Sequence, residues 1–169
     1  MPQIKLFTGQ LIEITEPESE VQKISPKDLA ICLDRVIRFN GAHPGDISVA
    51  EHSLNTQSFA KHYLESDRMQ LICLLHDAAE AVLSDIPSPV KRLLSAEFFE
   101  LEKKWEMAMY KEYGGIEPEH YELLQMKTYD DMAFIYEVGQ WATKDQWNFN
   151  DDTYDYVLEF RQRLDLLTR

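Results

Sequence analysis

An all-α domain of about six or seven helices, preceded by a small β-hairpin, is the fold this sequence predicts from its periodicity. Three observations predict it. Apolar residues recur at three- and four-residue spacing through Leu29, Leu33 and Val36, and again through Ile72, Leu75, Ala79 and Val82, which lines one face of a helix. Serines stand at capping positions before such runs, in Ser25-Pro26-Lys27-Asp28 and Ser48-Val49-Ala50-Glu51, where a hydroxyl can accept from a free amide of the first turn. Breaks such as Asn40-Gly41 and Gly114-Gly115 fall between the periodic stretches, not within them.

From the N-terminus, Lys5 to Ile14 reads as two short β arms around a turn at Gly9, a hairpin that needs a body to pack on. Glu16 to Lys23 is a polar connector. Pro26, placed at the first helical position behind the Ser25 cap, starts a helix that should run to about Ile37. A loop through His43-Pro44-Gly45 then leads to a second helix, with His52 in its first turns. Ser66 to Val82 predicts the central helix, because it is apolar nearly all round, and His76-Asp77 lies toward its end. Pro87 and Pro89 interrupt the helical pattern beyond Ser84, leaving a loop or short helix through Leu94. Further helices are expected over Ala96 to Tyr113, Pro118 to Lys144 and Thr153 to Leu167, with Gly114-Gly115 and Asp145 to Asp152 as breaks. Residues 1–169 read as one domain, with 1–24 as hairpin and connector and 25–169 as helical body.

Apolar residues make up 44% of the chain and charged residues 28%, a composition that folds rather than staying disordered. The apolar run Leu71 to Leu75 is far short of the ~20 residues that a membrane-spanning helix needs. Met1-Pro2-Gln3-Ile4-Lys5 has no apolar secretory core, so a cytoplasmic location is expected. Cys32 and Cys73 sit within helical patterns and read as buried, reduced thiols. A net charge of -13 argues against a nucleic acid polymer or an anionic membrane as partner. It leaves room for a small phosphorylated molecule held by a few local charges. Trp141, Trp147 and the late tyrosines suit core or subunit packing, and a homo-oligomer is expected.

The chemistry begins at Leu74-Leu75-His76-Asp77-Ala78-Ala79-Glu80, where three ionisable groups interrupt the most apolar helix. A lone buried His is commonly a core residue satisfied by a carboxylate. Here it has company. His52 on an earlier helix, the adjacent pair His76-Asp77 and the distant Asp130 resemble the ligand set of the HD-domain phosphohydrolase superfamily. With Ser48-Val49-Ala50-Glu51-His52-Ser53, His76-Asp77-Ala78-Ala79-Glu80 and Ser84-Asp85-Ile86-Pro87-Ser88-Pro89-Val90-Lys91, the chain resembles the branch of bacterial 5'-deoxynucleotidases and compact phage dATP triphosphohydrolases. The resemblance covers roughly Ser25 to Glu137 and implies a single HD-domain helical bundle. If the protein is phage-encoded, the compartment is the host cytoplasm.

That resemblance assigns metal ligation to His52, His76, Asp77 and Asp130. By spacing alone Asp131 is as available as Asp130. The family's late Lys, Asp and Glu match Lys127, Asp130 and Glu137, which selects Asp130. Two imidazoles and two carboxylates suit a divalent ion such as Mn, Co, Fe, Ni, Zn or Mg with positions left open. Such an ion activates water and needs no side-chain nucleophile. The resemblance gives Glu80 the proton-transfer role, against the plainer reading of an ion pair with Lys91 or Arg92. It places Arg38 and Phe39 at phosphate and nucleoside, Asp85 at a sugar hydroxyl and Lys91 at phosphate. Plainer readings exist for these too: a helix-terminal Arg, a core Phe and ordinary turn chemistry at Asp85. His43, His62 and His120 fall outside the pattern and are expected on the surface or in loops.

The implied activity is hydrolysis of a phosphate ester or anhydride in a 2'-deoxynucleotide, by a dNTP triphosphohydrolase or a 5'-deoxynucleotidase. A non-catalytic HD module binding a nucleotide or a partner protein is the alternative, and it predicts damaged ligands. A two-metal HD-type oxygenase would need additional ligands near the pair.

Overall fold

The computed structural model describes residues 2–43, 45–141 and 155–169, with only the backbone for Gln140 and Trp141. Six helices of nine or more residues form the body: α2 (Pro26–Arg35), α3 (Val49–His62), α4 (Asp67–Leu75), α7 (Ala96–Gly114), α8 (His120–Trp141) and α9 (Tyr156–Leu167). Three single turns lie between them: α1 (Pro17–Glu20), α5 (Glu80–Leu83) and α6 (Ser88–Lys91). The all-α class with an N-terminal hairpin is what the sequence predicts. The expected break at Asp145 to Asp152, and Trp147 within it, lie outside the described residues.

The hairpin pairs β1 (Gln3–Lys5) with β2 (Leu11–Glu13) in antiparallel register, Ile4 opposite Ile12. Its first arm lies nearer the N-terminus than expected, because Leu6 and Gly9 already belong to the turn: the Gly9 amide donates to the Leu6 carbonyl. Ile12 is fully buried, and the Trp105 indole N–H donates to the Ile14 carbonyl at 2.8 Å. The two-stranded unit is thereby fastened to α7. The connector expected over Glu16 to Lys23 is largely wound into α1 and a 3-10 turn over Val21–Lys23.

α4 is the axis of the body, with every residue from Met69 to Leu75 buried. It packs against α3, α7, α8 and α9, as a helix apolar on all sides must. α2 ends at Arg35, two residues before the expected boundary. Val36 there is extended, and the chain pairs back through Val49 N–H to Val36 C=O and Arg38 N–H to Ile47 C=O. This short antiparallel contact brings Arg38 beside the start of α3. The expected caps form: Ser25 Oγ accepts from the Asp28 amide, and Ser48 Oγ from that of Glu51. Gly115, at φ 60°, closes α7 in the left-handed conformation that favours glycine.

The central helix differs most from expectation. It does not run on to Val82; after Leu75 it tightens. Ala78, Glu80, Ala81 and Val82 each donate to the carbonyl three residues back, which is 3-10 winding. Three rather than 3.6 residues per turn carries Glu80 roughly 80° further around the axis from His76 than a regular helix would. No described helix is long and apolar enough to cross a membrane.

Candidate metal centre

Three helices deliver the donors. His52 lies one turn into α3, where the Ser48 cap fixes the helix start. His76 caps the C-terminal end of α4, with Asp77 in the tight turn beyond it. Asp130 sits mid-way along α8. His52, His76 and Asp130 form a cluster able to hold a metal ion, their ligand atoms all within 4.8 Å of one another. The two imidazole Nε2 atoms are 3.2 Å apart, and Asp130 Oδ1 is 3.0 Å from that of His52 and 3.9 Å from that of His76. Asp77 Oδ2 points to the same centre, 3.1 Å from His76 Nε2 and 3.6 Å from His52 Nε2. Bonds of about 2.0–2.2 Å to one ion place neighbouring donor atoms roughly 3.0–3.6 Å apart. Four of the five observed edges have that size, and the fifth, Asp130 to His76 at 3.9 Å, is longer.

Protons point the same way. His52 Nδ1–H donates to Glu137 Oε1 at 2.8 Å, and His76 Nδ1–H donates to the Cys73 carbonyl at 2.8 Å. With Nδ1 so engaged, a ring that gives up its second proton turns a bare Nε2 inward. Two nitrogen lone pairs then face each other and two carboxylates, an arrangement that only a proton or a cation can hold together. Charge follows this geometry. Burial opposes protonation of His76, but the charge and hydrogen bond of Asp77, with Asp130 behind it, raise its pKa to about 9. Burial also disfavours the Asp77 and Asp130 carboxylates, yet the imidazoles, with Arg38 beside Asp77 and Lys127 beside Asp130, hold both well below the usual range. The donor set fits a divalent ion.

Asp131 takes no part in the cluster; its exposed carboxylate pairs with Lys127 at 3.1 Å. The centre opens into a cleft of about 490 Å³ whose walls include Arg38, Phe39, Asp77, Glu80, Asp85, Lys91 and Asp130. Every substrate-binding residue suggested by the sequence therefore lines one cavity. Arg38, 12% exposed, faces Asp77 Oδ2 and Glu137 Oε2, each at 3.4 Å, and its guanidinium lies 5.4 Å from the Phe39 ring centroid. Phe39 is half-buried, in the cleft wall rather than the core. Its backbone amide hydrogen-bonds Asp85, whose pKa burial raises. Lys91 pairs with Glu102 of α7 at 2.5 Å, while its charge also acts on the Glu80 carboxyl. Glu80 is buried, and its Oε2 has no hydrogen-bond partner among the described residues. Burial, reinforced by the carboxylates of Asp77 and Asp85, pushes its pKa well above the usual range against the pull of Arg38 and Lys91.

Sequence reasoning left three residues without their roles. Glu137, fully buried, bridges the His52 ring and Arg38; its seven-residue spacing from Asp130 was the available signal. Glu102, which pairs with Lys91, and Phe134, which lines the cleft beside Phe39, carry no local signal, since each meets its partner across another element. Of the remaining histidines, His62 and His120 are exposed as expected. His43 does lie in a loop but is buried, with Nε2 3.1 Å from the Glu137 carbonyl oxygen and its ring 5.5 Å from that of Phe39.

Fold and site together define a helical protein with a buried His-His-Asp cluster that can bind a metal. No protein-family model matches the chain. Sequence relatives include an uncharacterized protein of Rhodobacter capsulatus, 34% identical over 114 residues, or 65% of this chain and 57% of that protein. The uncharacterized protein YfdR of Escherichia coli K12 is 31% identical over 111 residues, 66% of this chain and 58% of its own length. The chain thus spans somewhat more than half the length of these relatives. A solved structure, a conserved hypothetical protein from Pyrococcus furiosus, shares the fold with a TM-score of 0.51 at 20% identity, covering 82% of this chain and 96% of its own.

Proposed function

We propose that this protein is a divalent-metal-dependent phosphohydrolase of the HD-domain type that acts on 2'-deoxynucleotides, as a dNTP triphosphohydrolase or a 5'-deoxynucleotidase. One observation carries the reading: the inward Nε2 atoms of His52 and His76 and the oxygens of Asp77 and Asp130 converge beneath a cleft that also holds Arg38, Glu80 and Lys91. Those four residues would hold the ion. When bound, it lowers the pKa of a coordinated water and polarises a phosphoryl oxygen.

The chain's own groups do the rest. The raised pKa and unengaged Oε2 of Glu80 suit a carboxyl that carries a proton during the reaction. Arg38 can offer two N–H groups to phosphate oxygens. Asp77 and Glu137 orient it, and its stacking on Phe39 keeps it at the wall. Lys91 adds a second positive charge at the rim. Asp85, tied to the Phe39 amide, would accept from a sugar hydroxyl. The Phe39 ring beside it would leave a 2'-hydroxyl without a partner, which penalises ribonucleotides.

The test is a panel of dNMPs, dNTPs and matching ribonucleotides with Mn²⁺ or Co²⁺, products resolved by chromatography. Deoxy should exceed ribo turnover, with dATP the first triphosphate to examine. Intact triphosphate identifies the triphosphohydrolase, and orthophosphate from a dNMP the nucleotidase. A metal-loaded protein that turns over none of them is a binding module, and the proposal fails.

A further inference from the structure

We infer that Phe134 is a specificity-determining residue of this cleft, an aromatic platform for the nucleobase that selects purines over pyrimidines by stacking area. The inference rests on the deoxynucleotide reading above and extends it to the base. Phe134 lies one turn beyond Asp130 on α8, and both line the cleft. Four residues are about 6 Å along a helix axis, a distance that a furanose can bridge between phosphate and base. The residue is 45% exposed, so a large part of it is presented outside the core. Its centroid is 6.0 Å from that of Phe39, the rings inclined at 35°.

That spacing decides how a base can bind. A third ring between the two would need about 7 Å, two contacts of ~3.5 Å, so the base lies across the paired rings and not between them. Ile86, Pro87 and Pro89 extend the apolar wall, with Ser88 the polar side chain among them. Arg38, Glu80 and the donor cluster belong to the polar part of the site, together with Asp85, Lys91, Lys127 and Asp131. A cleft with both kinds of lining suits a molecule that carries both a phosphate and a flat ring. Its apolar part offers ring surface rather than hydrogen bonds to a base edge, so a larger ring system gains most.

The inference is tested by calorimetric titration of the full chain, in Mn²⁺ buffer, with dAMP, dCMP, 2'-deoxyadenosine and base-free 2-deoxyribose 5-phosphate. Turnover is measured separately. Wild type should bind dAMP more tightly than dCMP. Phe134→Ala should weaken dAMP and deoxyadenosine about tenfold, in line with loss of one base–aromatic stack. It should leave the base-free sugar phosphate unchanged and reduce the purine preference. Phe134→Trp should retain tight binding, and Phe134→Leu, which keeps apolar volume without the ring, should behave like Ala. Equal weakening of all four ligands, unchanged dAMP binding in the Ala variant, or failure of wild type to bind deoxyadenosine overturns the inference. Ring-dependent binding without hydrolysis would count against the hydrolase reading and leave the platform standing.

Discussion

His52 shows how much one side chain is asked to do. It is fully buried, its Nδ1–H given to Glu137 and its Nε2 turned toward Asp130 and Asp77. Neighbouring carboxylates divide the labour differently. Asp77 points its oxygen at both imidazoles, whereas Glu80 keeps a buried oxygen with no hydrogen-bond partner among the described residues. Asp77→Ala should therefore lose bound metal and turnover together. Glu80→Gln should retain metal and slow the reaction ~10²–10⁴-fold, the usual worth of a positioned acid or base. Metal content by atomic emission, beside the rate, separates the two; a wild-type rate in Glu80→Gln would remove it from proton transfer. The His76-Asp77 pair was legible because charge interrupts an apolar helix. Its connection to His52 and Asp130 was legible by resemblance alone. The pairing of Lys91 with Glu102 and the place of Phe134 were not, since both arise where separate elements meet.

Among the elements, the stretch from α4 into α5 is where local pattern and structure part. The apolar period continues through Ala79 and Val82 with no glycine or proline to stop it, so the sequence reads one helix. Hydrogen bonds of the three-residue type take over after Leu75. Tight winding inside a helical run commonly marks a functional position, and this one carries Asp77 and turns Glu80 toward the cleft. α5 then ends on Ser84 at φ 69° and ψ 159°, a conformation that favours glycine and costs other residues about 1–3 kcal/mol. Ser84→Gly should thus stabilise the fold by ~1 kcal/mol in chemical denaturation. Unchanged or lower stability would mean that the serine side chain offsets the strain. The long helices were legible from period and caps, while the hairpin register and the single turns depended on packing that no local pattern records.

Across the chain, net charge and site charge are separate matters. The protein carries -13 overall, and its cleft sets Arg38, Lys91 and Lys127 among the carboxyls of Asp77, Glu80, Asp85, Asp130 and Asp131. Distant surface charge is screened beyond about 10 Å, so an acidic exterior is compatible with a site for anions. What the fold supplies is convergence: α3, the end of α4 and α8 pack on one another and bring together donors from positions 52, 76, 77 and 130. Helix class could be read ahead of the structure, but this convergence needed the packing of α3 and α8 on a buried α4. The most direct measurement is deoxynucleotide turnover by the purified chain before chelation, after exhaustive chelation and after return of Mn²⁺ or Co²⁺, with metal content followed throughout. Activity should vanish with the metal and return with it; full turnover in a demonstrably metal-free preparation would contradict the account.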